Sequence, residues 1–164
     1  CIRDSDYAEA RRVEGPGPWQ QVLHQAPARS LDLFASSVPS TPAPSMPDSI
    51  GTTVFEESLG AYSTMLLLER LSDYLLAEGV APAWRGDQYR LFTTGTGDHL
   101  VWVCRWANPD AANKAADIIR NTLSPAPPDP AFGTESRHTH IMISGATTRY
   151  FNCADKATLE KLTS

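Results

Sequence analysis

Residues 95–109 read Gly95-Thr96-Gly97-Asp98-His99-Leu100-Val101-Trp102-Val103-Cys104-Arg105-Trp106-Ala107-Asn108-Pro109, and their reading decides the fold. Between His99 and Trp106, Leu100, Trp102, Cys104 and Trp106 fall on one face of a strand and Val101 and Val103 on the other. A strand that is apolar on both faces is an inner strand with cover on both sides. Ahead of it, Gly95-Thr96-Gly97-Asp98 supplies a hairpin loop back to a strand over Tyr89 to Thr93. Behind it, Asn108-Pro109 has the residue types that cap and open a helix. Within that helix Ala112, Ala115, Ala116, Ile119 and Leu123 recur at helical spacing, and the small alanines let the axis lie close to the sheet. Pro125, Pro127 and Pro128 stop it.

The same order returns downstream. His138 to Ser144 reads as a strand, Gly145-Ala146-Thr147-Thr148 as a turn, Arg149 to Cys153 as a second strand, and Asp155 as the cap of a short helix carrying Leu159 and Leu162. Upstream, Thr53 to about Ala77 is predicted to be a helix, with Phe55, Leu59, Tyr62 and Leu66 on one side and Leu67, Leu71, Tyr74 and Leu75 on another. The expected fold is therefore α+β, an antiparallel four-stranded sheet with packed helices in the order α-ββα-ββα.

Residues 1–50 read as an extended N-terminal arm before a globular domain at 51–164. Gly15-Pro16-Gly17-Pro18 breaks any helix, Trp19, Leu31, Leu33 and Phe34 are apolar without a sustained period, and Val38 to Met46 continues into Pro47 as a polyproline-like linker. The four large apolar side chains predict docking of the arm on a partner protein. Cys1 leads to a lipoprotein reading, in which a thiol exposed by signal-peptide cleavage carries palmitate-type acyl chains and holds the chain on a membrane.

The formal net charge of −5 and the absence of a basic stripe argue against a nucleic-acid surface. No apolar run reaches the roughly 18 residues of a membrane span. With Cys1 given to lipid, Cys104 and Cys153 are left as a pair that a disulfide could join in an exported protein, although two buried free thiols explain them equally.

The combination of Leu59-Gly60 on a helix, Trp84-x-Gly86-Asp87-x-Tyr89, Leu100-Val101-Trp102 and Trp106 followed by Ala111 or Ala112 resembles a module of bacterial exported proteins and lipoproteins. The resemblance covers about Phe55 to Leu123, and its motifs are structural. Some relatives carry a zinc-peptidase domain beside the module, but this chain has no His-Glu-x-x-His, so the resemblance implies no peptidase activity. Asp87 is expected to accept hydrogen bonds from loop amides, with Gly86 in a tight turn and Trp84 against the sheet edge.

Chemistry-bearing residues are sparse. His138 and His140 alternate along a strand and present two imidazoles to one side, but further metal ligands would have to come from His99, Glu135 or Asp98. Cys104 sits inside an apolar strand, and Cys153 has no neighbouring histidine to act as its base. Gly95-Thr96-Gly97-Asp98 lacks the context of a phosphate loop. The function expected is that of a lipid-anchored accessory protein on the extracytoplasmic side of the bacterial cell envelope. It would be a structural or assembly subunit bound to a membrane protein complex, with no enzymatic activity and no cofactor. Alternatives are a free-standing ligand- or metal-binding lipoprotein using His138 and His140, and a hydrolase with Cys1 as its nucleophile.

Overall fold

The two-faced strand lies in the middle of a five-stranded antiparallel sheet. The computed structural model describes residues 42–48, 50–71, 80–123 and 136–164; Cys1, Trp19, Leu31, Leu33, Phe34 and Glu135 lie outside them. Strands β1 (Thr52–Glu57), β2 (Trp84–Thr94), β3 (Gly97–Trp106), β4 (His138–Ser144) and β5 (Thr147–Cys153) are arranged in the order β1-β2-β3-β5-β4. Helices α1 (Gly60–Leu71) and α2 (Pro109–Thr122) pack on one face, and α3 (Lys156–Thr163) on the other. A 3-10 turn, Ala81–Ala83, leads into β2.

The fifth strand corrects the expected four. Thr52–Glu57 is an edge strand, where a helix from Thr53 was expected. Phe55 therefore leaves the predicted stripe with Leu59, Tyr62 and Leu66, and instead meets the Tyr89 ring at 5.7 Å between centroids. Helix α1 begins only at Gly60 and buries Ala61, Thr64, Met65 and Leu68, while Leu66 faces out. Spacings of three and four residues place those buried side chains on one stripe.

The hairpins are tighter than their sequences suggested. Thr94 pairs with Gly97 and Ser144 with Thr147, so each turn has two central residues. Trp84 to Gln88 belongs to β2 and not to a turn; the pairing slips between Trp84 and Gly86, leaving Arg85 as the extra residue of a bulge.

Side chains of β3 divide as expected. Trp102, Cys104 and Trp106 join Leu68, Ala112, Ala115, Ile119 and Tyr150 under α1 and α2. Val101 and Val103 join Phe92 and Phe151 on the α3 side, with Leu159 and Leu162 against them. Asn108 Oδ1 accepts from the Ala111 amide at 2.9 Å, and Asp155 Oδ1 accepts from the Thr158 amide at 2.8 Å, so both predicted caps are formed. Ahead of β1, Met46 packs on the α3-side cluster.

Candidate functional site

Leu59, Gly60 and Trp102, three of the residues singled out by the motif, meet at the Asp87 carboxylate. Asp87 on β2 lies opposite Cys104, and its side chain turns under the start of α1, where it is 2 % exposed. Its Oδ1 accepts from Ser58 Oγ at 2.9 Å and from the Gly60 amide at 3.0 Å. Its Oδ2 accepts from the Leu59 amide at 3.0 Å and from Trp102 Nε1 at 3.0 Å. The first amides of a helix have no partner inside it and carry partial positive charge, so a carboxylate there satisfies and stabilises them. Gly60 takes φ +77°, a conformation that glycine enters without steric cost, and this aims its amide at Asp87. Four donors fill the four or so acceptor positions of a carboxylate, leaving none turned outward for proton transfer. Asp87 is a strut joining α1, β2 and β3.

A second polar cluster forms at the opposite end of β2, and no signal in the sequence had assembled it. His99 is fully buried, its ring stacked on Phe92 with centroids 4.9 Å apart. Its Nδ1 accepts from the Ala154 amide at 3.3 Å, which leaves the proton of the neutral ring on Nε2. From there a directed chain runs through Thr94 Oγ1 at 2.8 Å and Thr96 Oγ1 at 2.7 Å to Asp155 Oδ2 at 2.5 Å. Burial lowers the His99 pKa from the usual 6.5; Arg137 adds to the shift, and Asp155 and Asp98 oppose it. Hydrogen bonds from Thr96 and then from Thr158 hold the Asp155 carboxyl far below the usual range. A nucleophile triad needs the acid on one imidazole nitrogen and the hydroxyl on the other. Here the hydroxyl and the carboxylate, the latter at 4.0 Å, both lie on the Nε2 side, so the cluster ties the β2–β3 hairpin to the start of α3.

The remaining candidates stay apart. Cys104 and Cys153 are buried free thiols. Cys104 is opposite Thr148, while Cys153 lies five positions further along β5 and on the other face, roughly 16 Å away at strand rise. A disulfide needs Cα atoms within about 7 Å, so of the two readings of this pair the structure has the buried free thiols. Burial raises the Cys104 thiol well above its usual value and Cys153 to about 11, which removes the thiolate either would need as a nucleophile.

His138 and His140 share one side of the edge strand β4, as expected, opposite Cys153 and Phe151. His99, a suggested third ligand, already uses both ring nitrogens. Among the described residues no group of three His, Cys, Asp or Glu is placed to hold a metal ion. Beside β4, a cleft of about 420 Å³ opens between Ile119, Leu123, Thr139, Ile141 and Tyr150. Tyr150 Oη reaches the Leu123 carbonyl at 3.5 Å and accepts from Asn152 Nδ2 at 3.3 Å.

Hydrophobic exposure concentrates at the other edge. All six residues of β1 are exposed, Val54 at 58 % and Phe55 at 47 %, and Ile50 precedes them at 39 %. Val54 is the extra residue of a bulge, since Thr53 lies opposite Phe92 and Phe55 opposite Leu91. The period-two pattern of a half-buried strand is missing here because the strand buries neither face.

These features define an α+β domain in which Ser58, Leu59, Gly60, Asp87 and Trp102 form one buried hydrogen-bond hub. The chain belongs to the family described as Domain of unknown function (DUF8575), whose model matches residues 49–162. No curated protein and no solved structure matches the chain.

Proposed function

We propose that this chain is a lipid-anchored accessory subunit of the bacterial cell envelope, held on the extracytoplasmic side through acylated Cys1. In this reading Trp19, Leu31, Leu33 and Phe34 engage a membrane protein complex, and the domain is a docking module without chemistry of its own. The observation that carries it is the apolar edge at Ile50, Val54 and Phe55, which faces outward while Asp87, His99, Cys104 and Cys153 are buried within the fold. Contiguous exposed apolar surface is a property of interaction sites. No helix among the described residues is long and apolar enough to cross a membrane.

Two measurements test the proposal. Metabolic palmitate labelling in the native host should mark the protein and fail for Cys1→Ser; an unacylated wild-type protein would remove the anchor. Val54→Asp with Phe55→Asp should release the protein from its complex in mild detergent while the domain stays folded by circular dichroism, with a lower melting temperature from the lost Phe55–Tyr89 contact. Undiminished co-purification would remove the β1 edge as the contact.

A further inference from the structure

The sheet face opposite α1 and α2 carries α3 and one extended stretch of chain, residues 42–48. Along this stretch Pro44 is buried and Met46 and Pro47 are half-buried, while Pro42, Ala43, Ser45 and Asp48 are exposed. Met46 rests on the cluster of Phe92, Val101, Val103 and Phe151. At one end Arg105 Nη1 donates to the Pro42 carbonyl at 3.3 Å, and at the other Arg90 Nη1 donates to the Pro47 carbonyl at 2.8 Å. The two carbonyls are about 15 Å apart along an extended proline-type chain. Beside this stretch an open cleft of about 240 Å³ lies between Ser45, Met46 and Pro47 on one side and Met142, Arg149 and Leu162 on the other.

We propose that this face is a receptor for an extended, proline-containing segment of a partner protein, and that residues 42–47 occupy it as a built-in competitor. An apolar floor that takes Pro44 and Met46, with cationic donors aimed at backbone carbonyls, is the chemistry by which a stiff proline-rich peptide is held at low entropic cost. Donors that read carbonyls are indifferent to side-chain identity, so another segment with apolar residues at the same alternate positions offers them the same atoms. On its domain side the cleft adds Met142, Arg149 and Leu162, which residues 45–47 border without filling the space between, to the surface open to a displacing ligand. A short connection to β1 keeps the internal segment at a high effective concentration, and a partner binds in proportion to the fraction of time the face is open. The proposal stands on this face alone and does not depend on acylation of Cys1 or on the β1 edge.

The test is fluorescence anisotropy with a labelled peptide of residues 40–48 and the full chain, as wild type and as Pro44→Asp with Met46→Asp. The substituted chain should bind the peptide saturably and at least tenfold more tightly than wild type, and a peptide carrying the same two aspartates should not bind. Lack of saturable binding to a substituted chain with native-like near-UV circular dichroism would overturn the proposal, as would equal binding of the altered peptide. Should the substituted chain fail to fold, the wild type decides by NMR. Millimolar unlabelled peptide should move the Met46 methyl signal toward its unpacked position, and an unmoved signal would refute competition for the face.

Discussion

Replacing Asp87 with alanine removes the acceptor for the Leu59 and Gly60 amides and for Trp102 Nε1. Loss of a helix-capping acceptor costs about 1 kcal/mol. Trp102 is only 4 % exposed, so its indole N–H is left without water to replace the carboxylate, at a further cost of about 1–3 kcal/mol. The expected loss is about 2–4 kcal/mol, a large share of the roughly 5–15 kcal/mol that holds a domain together. Asp87→Asn should cost less than alanine, because one oxygen remains for Leu59 and Trp102 and the Ser58 hydroxyl can turn to accept from the new amide, while the Gly60 amide then faces a donor and keeps only Ser58 Oγ as its acceptor. Urea unfolding followed by tryptophan fluorescence measures both variants. A cycle with Trp102→Phe isolates the indole contribution, which should appear as a coupling of about 1 kcal/mol or more. An alanine variant within about 0.5 kcal/mol of the parent, or a coupling near zero, would refute the role of Asp87 as a strut.

Further outcomes follow from the polar corner, the thiols and the β1 junction. Because His99 has a lowered pKa in the fold, the unfolded chain binds the proton more readily; its contribution to stability should be present above pH 6.5 and decline as pH falls through the native pKa. Asp155 adds a second decline below its usual 3.8, and unfolding midpoints measured against pH in wild type and His99→Gln should differ in slope only in the upper window. With Cys1 replaced by serine, the native protein should leave Ellman's reagent nearly unreacted at neutral pH and show two reactive thiols once unfolded; rapid native reaction would contradict the burial. Gly51→Ala would place a Cβ 2.3 Å from the Thr93 carbonyl oxygen, so β1 should loosen and stability fall by about 1–3 kcal/mol, with hydrogen exchange accelerated along residues 52–57.

The inner strand was legible because burial on both faces writes apolar residues at consecutive positions, as at Leu100 to Cys104. The helix starts at Pro109 and Lys156 were legible because Asn108 and Asp155 act locally, within three residues. Strand β1 was not, because an edge strand exposed along its length leaves no alternation, and Phe55, Leu59, Tyr62 and Leu66 happen to satisfy helical spacing across the break at Gly60. β-branched Thr52, Thr53 and Val54, together with Gly60, were the local signals for a strand followed by a break. Asp87 was read correctly as an acceptor of loop amides, but its donors come from a segment 28 residues earlier and an indole 15 residues later, a convergence made only by the folded sheet. His99 and Asp155 meet across 56 positions of chain for the same reason.

The segment on the α3 face has a practical consequence for defining the domain. The family match begins at residue 49, whereas contacts with the sheet are already made at Pro42. Two kinds of boundary therefore disagree: one set by shared sequence and one set by which atoms cover the core. A recombinant fragment cut at residue 49 would keep every strand and helix described above yet lose Pro44 and Met46, uncovering an oily stripe beside Val103 and Leu162. Such a fragment should self-associate at concentrations where a fragment beginning at Ser40 stays monodisperse, and the earlier start is the one to carry into crystallisation or binding work.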